Sequence, residues 1–154
     1  MTQKISSGLL MYRKQNNQLE FFLVHPGGPY FKNRDDGAWS IPKGETENTE
    51  SLLETAIREF KEETGIEPGV ADFIALDSIK QKGGKTVHAW AFEGGWNENN
   101  LIKSNYFEIE WPPQSGKKQK FPEIDKAGFF SADIAKQKIN SAQVEFLIRL
   151  EEIL

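Results

Sequence analysis

The order of apolar and polar positions predicts a β-hairpin near the start of the chain. Residues 8–12 and 19–25 are apolar runs of residues that favour strands, and the polar residues 15–17 between them predict a turn. Two prolines and two glycines follow within residues 25–29, and they must end the second strand because proline cannot donate a sheet hydrogen bond. The chain therefore begins with two antiparallel strands and then changes direction.

The clearest single element is an amphipathic helix predicted for residues 51–64. Its apolar stripe recurs at spacings of three and four residues and consists of Leu53, Ile57 and Phe60, flanked by Leu52 and Ala56. Ser51 is placed to cap the first turn, and Glu54, three residues later, completes a capping box. Gly65 stands where a helix commonly ends with a left-handed residue.

The remaining segments have the patterns of further strands and helices. The other predicted strands are residues 38–42, 73–80, 86–92, 106–111 and 127–130. Two helices are predicted at the C-terminal end, in residues 131–138 and 141–154. Residues 112–120 are predicted as a polar loop. A mixed sheet with helices packed on its faces uses all of these elements, although the pattern does not determine the strand order.

The composition is that of one folded domain. The 154 residues are 38% hydrophobic and 27% charged, which suits a single globular domain over residues 1–154. The absence of cysteine excludes disulfides, thiolate metal sites and a cysteine nucleophile, and it is compatible with the cytoplasmic location that we expect. No apolar stretch approaches the roughly 20 residues that span a bilayer, so no membrane partner is expected.

The charge distribution directs attention to one segment. The net charge of −4, from 19 basic and 23 acidic residues, disfavours binding to long nucleic acid. A small polyphosphate remains an acceptable ligand if metal ions and a few lysines neutralise its charge. Seven of the 23 acidic residues fall within residues 44–63, so the functional site is expected there.

Three acidic residues of the predicted helix have a spacing that suits metal binding. Glu59 and Glu63 lie four residues apart and Glu62 lies three from Glu59, so their carboxylates project near one another. Like charges at this spacing destabilise a helix, and a cluster of hard oxygen ligands suits Mg²⁺ or Mn²⁺, which would offset the repulsion. The alternative is an ordinary solvated acidic face. Arg58 projects away from Glu59 and is expected to pair with Glu50, which would fasten the preceding loop onto the helix.

This segment resembles the Nudix box. That pattern is Gly, five residues, Glu, seven residues, Arg-Glu, an apolar residue, any residue, Glu-Glu, any residue, Gly and an apolar residue. Every position is matched, by Gly44, Glu50, Arg58, Glu59, Phe60, Glu62, Glu63, Gly65 and Ile66. Seven fixed residues match by chance about once in 10⁸ starting points at typical residue usage. Residues 39–43 also resemble the strand that leads into the box in this family.

The resemblance implies an α/β fold, the Nudix-like α/β/α sandwich with a mixed central sheet. It implies hydrolysis of a pyrophosphate linkage in a nucleoside diphosphate derivative. Glu59, Glu62 and Glu63 would hold Mg²⁺, or Mn²⁺, against the pyrophosphate, and a water activated by the metal would attack phosphorus in line. The residues expected to support this site are Gly44, Glu50, Arg58 and Gly65.

Other site residues follow from the resemblance or from their position. Glu123 resembles a late glutamate that is an extra metal ligand in some RNA- and dinucleotide-cleaving members, and Glu98 is the competing choice. Catalytic roles are expected for Glu62, Glu59 and Glu123, and the identity of the general base stays open among them. Substrate contacts are expected from Lys43, Trp39, Lys85 and His88. A purely structural or surface role is the alternative for each of these four.

The substrate stays open between a nucleoside triphosphate and a dinucleoside polyphosphate. Residues 39–44 and Glu123 favour the dinucleoside polyphosphate or RNA 5′-pyrophosphate branches of the family. The tyrosine found beyond the box in diadenosine polyphosphate hydrolases is missing, however, and markers of the ADP-ribose, coenzyme A and NADH branches are also absent. A non-catalytic nucleotide-binding or regulatory module is the alternative function, which the complete set of box glutamates disfavours. The oligomeric state is not determined, and a homodimer stays open.

Overall fold

A six-stranded mixed sheet lies at the centre of the molecule, with α-helices on both of its faces. The computed structural model describes residues 4–47, 49–69, 72–97 and 102–154. In these ranges the strands are β1 (Ile5–Gln15), β2 (Gln18–Pro26), β3 (Lys43–Glu45), β4 (Ile74–Gln81), β5 (Lys85–Glu93), β6 (Tyr106–Glu110), β7 (Lys118–Pro122) and β8 (Ile124–Ser131). The helices are α1 (Leu52–Thr64), α2 (Ala132–Lys138) and α3 (Val144–Ile153), the last preceded by a 3₁₀ turn at Ser141–Gln143.

The order of strands in the large sheet is β4-β5-β1-β2-β8, with β3 also paired to β1. Strand β1 runs parallel to β5, and the other neighbours are antiparallel. On its second edge, β1 pairs with β3 through residues 6–8 and with β2 through residues 12–15. Strand β3 therefore lies beside the first half of β1, where it brings Gly44 opposite Ser7.

Each face of the sheet has its own apolar core, because alternate residues of a strand point to opposite sides. Leu9 of β1 packs with Phe60 of α1 on one face, whereas Leu10 packs with Ala135 of α2 and Phe146 of α3 on the other. The predicted α/β/α sandwich with a mixed central sheet is thereby confirmed. No helix within the described ranges has both the length and the apolar character required to cross a membrane.

The strand predicted for residues 38–42 is wrong. Trp39 forms only an isolated bridge with Ile139, and Ser40 forms only one with Val24. The segment lies between β2 and the chain at the end of α2. Its backbone forms hydrogen bonds with both of these neighbours in turn, so it forms a continuous β-ladder with neither. The strand that enters the box is β3, which begins immediately after this segment.

The C-terminal third also differs from its pattern. Part of the predicted loop 112–120 belongs to β7, which pairs with β6 in a separate two-stranded hairpin. The first three residues of β7 are exposed and polar, so no alternation marks them as a strand. Strand β8 begins at Ile124 rather than at residue 127, because its first residue pairs with Pro26 beyond a bulge in β2.

The two glycines after β2 let this hairpin pack against the end of the large sheet. A Cβ on Gly27 would overlap the carbonyl oxygen of Pro122, and a Cβ on Gly28 would lie 2.7 Å from the ring of Phe107. Gly27 also donates its N–H to the carbonyl oxygen of Glu123 at 2.8 Å. The turn, the hairpin and the start of β8 therefore form one packed unit.

Candidate active site

Helix α1 has the caps that its sequence predicts. The N–H of Glu54 donates to the Ser51 hydroxyl at 3.1 Å, and the Ser51 N–H donates to the Glu54 carboxylate at 3.0 Å. At the other end Gly65 is left-handed, with φ 75°, and its N–H donates to the carbonyl oxygen of Lys61 at 2.8 Å. Both ends of the helix are thus held by contacts within the box itself.

The buried face of α1 decides which glutamates turn inward. Ala56 and Phe60 are fully buried, whereas Ile57, predicted as part of the apolar stripe, is only partly buried. The side chain of Glu59 lies close to β3 and is 15% exposed, while that of Glu62 lies at the rim and is 41% exposed. The glutamates of the box therefore do not have equal surroundings.

The predicted contact between Arg58 and Glu50 is present. The Nε and Nη2 groups of Arg58 donate to the two carboxylate oxygens of Glu50 at 2.7 and 2.9 Å. Hydrogen bonding to Arg58 lowers the pKa of Glu50 to about 2. Nη1 of Arg58 donates to Glu59 at 2.9 Å and to Glu62 at 3.2 Å, and Nη2 reaches the carbonyl oxygen of Glu45. One guanidinium thus joins the loop, the strand β3 and the acidic face of the helix.

Gly44 is required by the position of Glu59. A Cβ at residue 44 would overlap the carboxylate of Glu59, so only glycine leaves room for that side chain against β3. The φ of Gly44 lies outside the left-handed region, and the requirement is therefore one of space and not of backbone conformation.

Glu59, Glu63 and Glu123, which we call the carboxylate cluster, share one electrostatic environment. The pKa of Glu63 is raised to about 8, first by burial and then by the negative charges of Glu59 and Glu123. Burial also raises the pKa of Glu59. Lys43 donates its backbone N–H to Glu63. The ammonium group of Lys43 lies near the charges of Glu59 and Glu63, and burial lowers the pKa of this lysine. The tertiary structure therefore places Glu123 and Glu63 at the border of one cavity.

The donors of this region fit a hard divalent cation. The charges of Glu59 and Glu123 raise the pKa of Glu63, and a bound cation would relieve this repulsion. Ser7, opposite Gly44 in the sheet, has a buried hydroxyl without a hydrogen-bond partner in the described part of the chain. No three His, Asp or Glu side chains in that part already surround one point as metal ligands do, and Glu62 binds Arg58 instead. Glu62 would have to leave Arg58 to join the ligand set.

Two adjoining cavities open beside the carboxylate cluster. The carboxylate pocket, of about 290 Å³, is bordered by Glu63, Glu123 and Lys43. The loop cavity, of about 610 Å³, lies between residues 34–40 and the start of the last helical segment, and it shares Lys43 with the carboxylate pocket. The two spaces together would accommodate phosphates beside the acidic helix and a nucleoside next to them.

The other predicted substrate residues have different surroundings. Trp39 borders the loop cavity but is only 6% exposed, because its ring packs against Phe130 and its Nε1–H donates to Asp35. Lys85 is exposed and lies close enough to Lys43 to lower the pKa of that lysine. His88 does not line the carboxylate pocket or the loop cavity. Glu98 lies outside the described residues.

A buried histidine beside the site, paired with an aspartate, was not predicted from the sequence. His25 is fully buried, with Nδ1 2.7 Å from a carboxylate oxygen of Asp125 and Nε2 2.6 Å from the carbonyl oxygen of Arg34. The pair joins the border of the loop cavity to β8, two residues after Glu123. No local signal marks it, since its members are 100 positions apart in the chain.

Gln143 is a second residue that sequence reasoning missed. It is buried beside the loop cavity, where its Oε1 accepts from the Ile41 N–H at 3.1 Å and its Nε2 donates to Ser40 at 3.1 Å and Gln81 at 3.3 Å. These bonds tie the segment that enters the box to the 3₁₀ turn and to β4. The shape of the cavity therefore depends on a side chain far from the box.

Sequence comparison identifies one family and a group of named relatives. The family model described as NUDIX domain matches residues 2–150. The Mus musculus protein named bis(5′-nucleosyl)-tetraphosphatase (asymmetrical) is 33% identical over 99 residues, covering 56% of this chain and 62% of that protein. The Rattus norvegicus protein of the same name is 34% identical over 101 residues with the same coverage. The chain thus spans less than two thirds of the length of these curated relatives.

Solved structures share the fold. A C. elegans Ap4A hydrolase in a binary complex superposes with a TM-score of 0.66 at 22% identity, covering 97% of this chain and 96% of that one. The NUDIX domain of Shewanella oneidensis NrtR, solved with ADP ribose, gives a TM-score of 0.65 at 16% identity, covering 99% and 89%. At these identities the likeness establishes the fold alone.

Proposed function

The chain belongs to the NUDIX family, and on that premise we propose that it hydrolyses a pyrophosphate linkage in a nucleoside polyphosphate with a divalent cation. The observation that carries this proposal is the position of the carboxylate cluster. Glu63 and Glu123 border a pocket that also contains Lys43 and that adjoins a cavity large enough for a nucleoside. Acidic and basic groups that face one small space suit a cation together with phosphate oxygens.

We propose a dinucleoside polyphosphate as the first substrate class to test. The mouse and rat relatives carry the name of a bis(5′-nucleosyl)-tetraphosphatase, and residues 39–44 with Glu123 favour the same branch. The tyrosine found beyond the box in diadenosine polyphosphate hydrolases is missing from this chain, so a nucleoside triphosphate is the second class.

Each side chain of the site has a proposed role. Glu59, Glu63 and Glu123 would hold Mg²⁺, or Mn²⁺, and Glu62 would join them if it separated from Arg58. Arg58 and Glu50 keep the loop on the helix, and Gly44 and Gly65 keep the backbone clear of the carboxylates and end the helix. Lys43, with Lys85 farther out, supplies positive charge for the phosphates. Trp39 borders the space for the nucleoside.

Water attacks phosphorus in line with the bridging oxygen, so that a new P–O bond forms, the anhydride P–O bond breaks and the second phosphate group leaves. When bound, the cation neutralises the charge of the phosphates and makes the water a better nucleophile. The proton of the water passes to Glu62 or Glu123, the two exposed carboxylates at the rim of the site.

Gly44→Ala is expected to lower kcat about 100-fold, since the new methyl group would displace the carboxylate of Glu59 and a misplacement of about 1 Å has an effect of this size. The measurement is steady-state hydrolysis together with thermal unfolding. Gly95→Ala is the matched control, because a Cβ there meets no atom within 4 Å. Full activity of the Gly44 variant would show that the position of Glu59 is irrelevant to the reaction.

The proposed function is tested with a panel of diadenosine tetraphosphate, ATP and ADP-ribose, each incubated with Mg²⁺ or with EDTA. We expect hydrolysis at a phosphoanhydride bond with Mg²⁺ and none with EDTA, and separation of the products identifies the preferred substrate. Binding of a nucleotide without turnover under all conditions would refute the enzyme and favour the regulatory module. Turnover that EDTA leaves unchanged would refute the role of the cation.

A further inference from the structure

The β6–β7 hairpin encloses a further large cavity that the proposed function does not use. This space, the hairpin groove, lies between the hairpin and the loop after β2 and measures about 630 Å³, close to the 610 Å³ of the loop cavity. The residues of its lining that matter here are Lys32, Asn33, Trp111, Gln119 and Phe121. The groove is thus as large as the space proposed for the first nucleoside.

The lining has the chemistry that recognises a nucleobase. Trp111 and Phe121 offer aromatic surfaces, and the ring of Trp111 is supported at 5.3 Å by Tyr30 in an edge contact. Gln119 donates its amide N–H to the carbonyl oxygen of Trp111 at 3.1 Å, which leaves the amide oxygen free to accept from a base. An aromatic ring beside an amide suits stacking combined with hydrogen bonds to a base edge.

Two polar side chains of the groove are available for a ligand. Lys32 and Asn33 are exposed, and neither makes a hydrogen bond or ion pair with any other residue in the described ranges. A free ammonium group at the border of an aromatic groove suits a ligand that carries a phosphate. The whole lining therefore fits a nucleoside phosphate better than an apolar ligand.

The groove also lies next to the proposed site of cleavage. Pro122 and Asp125 line the hairpin groove, whereas Glu123 and Ile124, the two residues between them, line the carboxylate pocket. The carboxylate pocket also shares Lys43 with the loop cavity. Two cavities of nearly equal volume thus lie near the pocket that contains the acidic residues.

We propose that the hairpin groove binds the second nucleoside of a dinucleoside polyphosphate, with its base against Trp111. This inference rests on the proposed function, since it assumes that the phosphates lie at the carboxylate cluster and the first nucleoside in the loop cavity. A mononucleotide would then use only one of the two cavities, and the hairpin would select substrates with a nucleoside at each end.

The test compares the KM for diadenosine tetraphosphate with the KM for ATP in the whole protein with Mg²⁺. Trp111→Ala is expected to raise the KM for the dinucleotide about tenfold and to leave that for ATP unchanged, since stacking on one base is lost. Lys32→Ala, which removes no contact within the protein, is expected to raise the KM for the dinucleotide about threefold. Lys118→Ala is the matched control, because alternation along β7 directs Lys118 away from the face of Gln119 and Phe121.

Equal changes for both substrates, or no change in either variant, would overturn the inference while leaving the proposed hydrolysis intact. If Trp111→Ala fails to fold, the Lys32 variant decides the question. If the unmodified protein hydrolyses neither substrate, the proposed function fails, and binding is measured by tryptophan fluorescence with diadenosine tetraphosphate in EDTA. A response lost in Trp111→Phe then supports the nucleoside site, and a response retained in that variant overturns it.

Discussion

Replacing Glu63 by glutamine is expected to lower kcat about 10³-fold, the upper range for removal of one charged group that stabilises a transition state. Glu63 is the most central member of the carboxylate cluster, since it borders the carboxylate pocket and accepts the Lys43 N–H. Glutamine has the same shape but no charge, so the site keeps its packing and loses its attraction for a cation. Glu62→Gln is expected to act in the same direction.

The same substitution is expected to stabilise the protein when no divalent ion is present. The pKa of Glu63 is raised from 4.5 to about 8 in the folded protein, so ionisation of this group opposes folding. The wild type therefore loses stability as the pH rises from 4.5 through about 8, and the glutamine variant does not suffer this loss. Thermal unfolding in EDTA across this range, compared with activity in Mg²⁺, measures both effects.

Glu145→Gln is the matched control for both measurements. Glu145 is exposed in the first turn of α3, on the opposite face of the sheet from α1. Removal of its charge should therefore change neither the activity nor the pH dependence of stability. If Glu63→Gln kept more than about a tenth of the activity of the wild type, the charge of Glu63 would not be part of the reaction.

Replacing His25 by alanine is expected to lower the free energy of unfolding by about 3–5 kcal/mol, because it leaves a cavity in place of a fully buried ring. For a chain of this length such a loss lowers Tm by about 10 °C. The carbonyl oxygen of Arg34 also loses its partner, so the loop that borders the loop cavity is released. The measurement is thermal unfolding followed by circular dichroism.

His88→Ala is the control for the buried imidazole. His88 lies on β5 and is only partly buried, and its imidazole has no hydrogen-bond partner in the ranges that the structure describes, so its removal is expected to cost less than about 1 kcal/mol. Similar Tm values for the wild type and the His25 variant would show that the pair with Asp125 contributes little to stability. Asp125→Asn, which removes the charge and keeps the shape, separates the ion pair from the packing.

Part of the site followed from local sequence. The caps at Ser51 and Gly65 and the ion pair of Arg58 with Glu50 join residues within a few positions of one another. Such contacts depend on the rise and period of one helix and on the length of one loop, which the order of residues specifies. The family and the α/β/α architecture followed from the same segment, because its fixed residues match a pattern with a very low chance rate.

Other features depended on contacts that no local pattern contains. Residues 38–42 do not form the predicted strand because their backbone forms hydrogen bonds with two different segments. The first residues of β7 show no alternation of apolar and polar side chains because both faces of the strand are exposed to solvent there. The partners of His25 lie 9 and 100 positions away. Each of these outcomes is decided by which strands become neighbours in the sheet.

The sequence by itself determined an acidic helix, its ends and the arginine that anchors its loop, because all of these act over one or two helical turns. Only the tertiary structure decided that Glu59 needs the space at Gly44, that Glu63 and Glu123 border one pocket, and that two larger cavities lie near that pocket. Periodicity specifies which side of an element is apolar, but it does not specify which other element will cover that side. Strand order and side-chain packing make that choice.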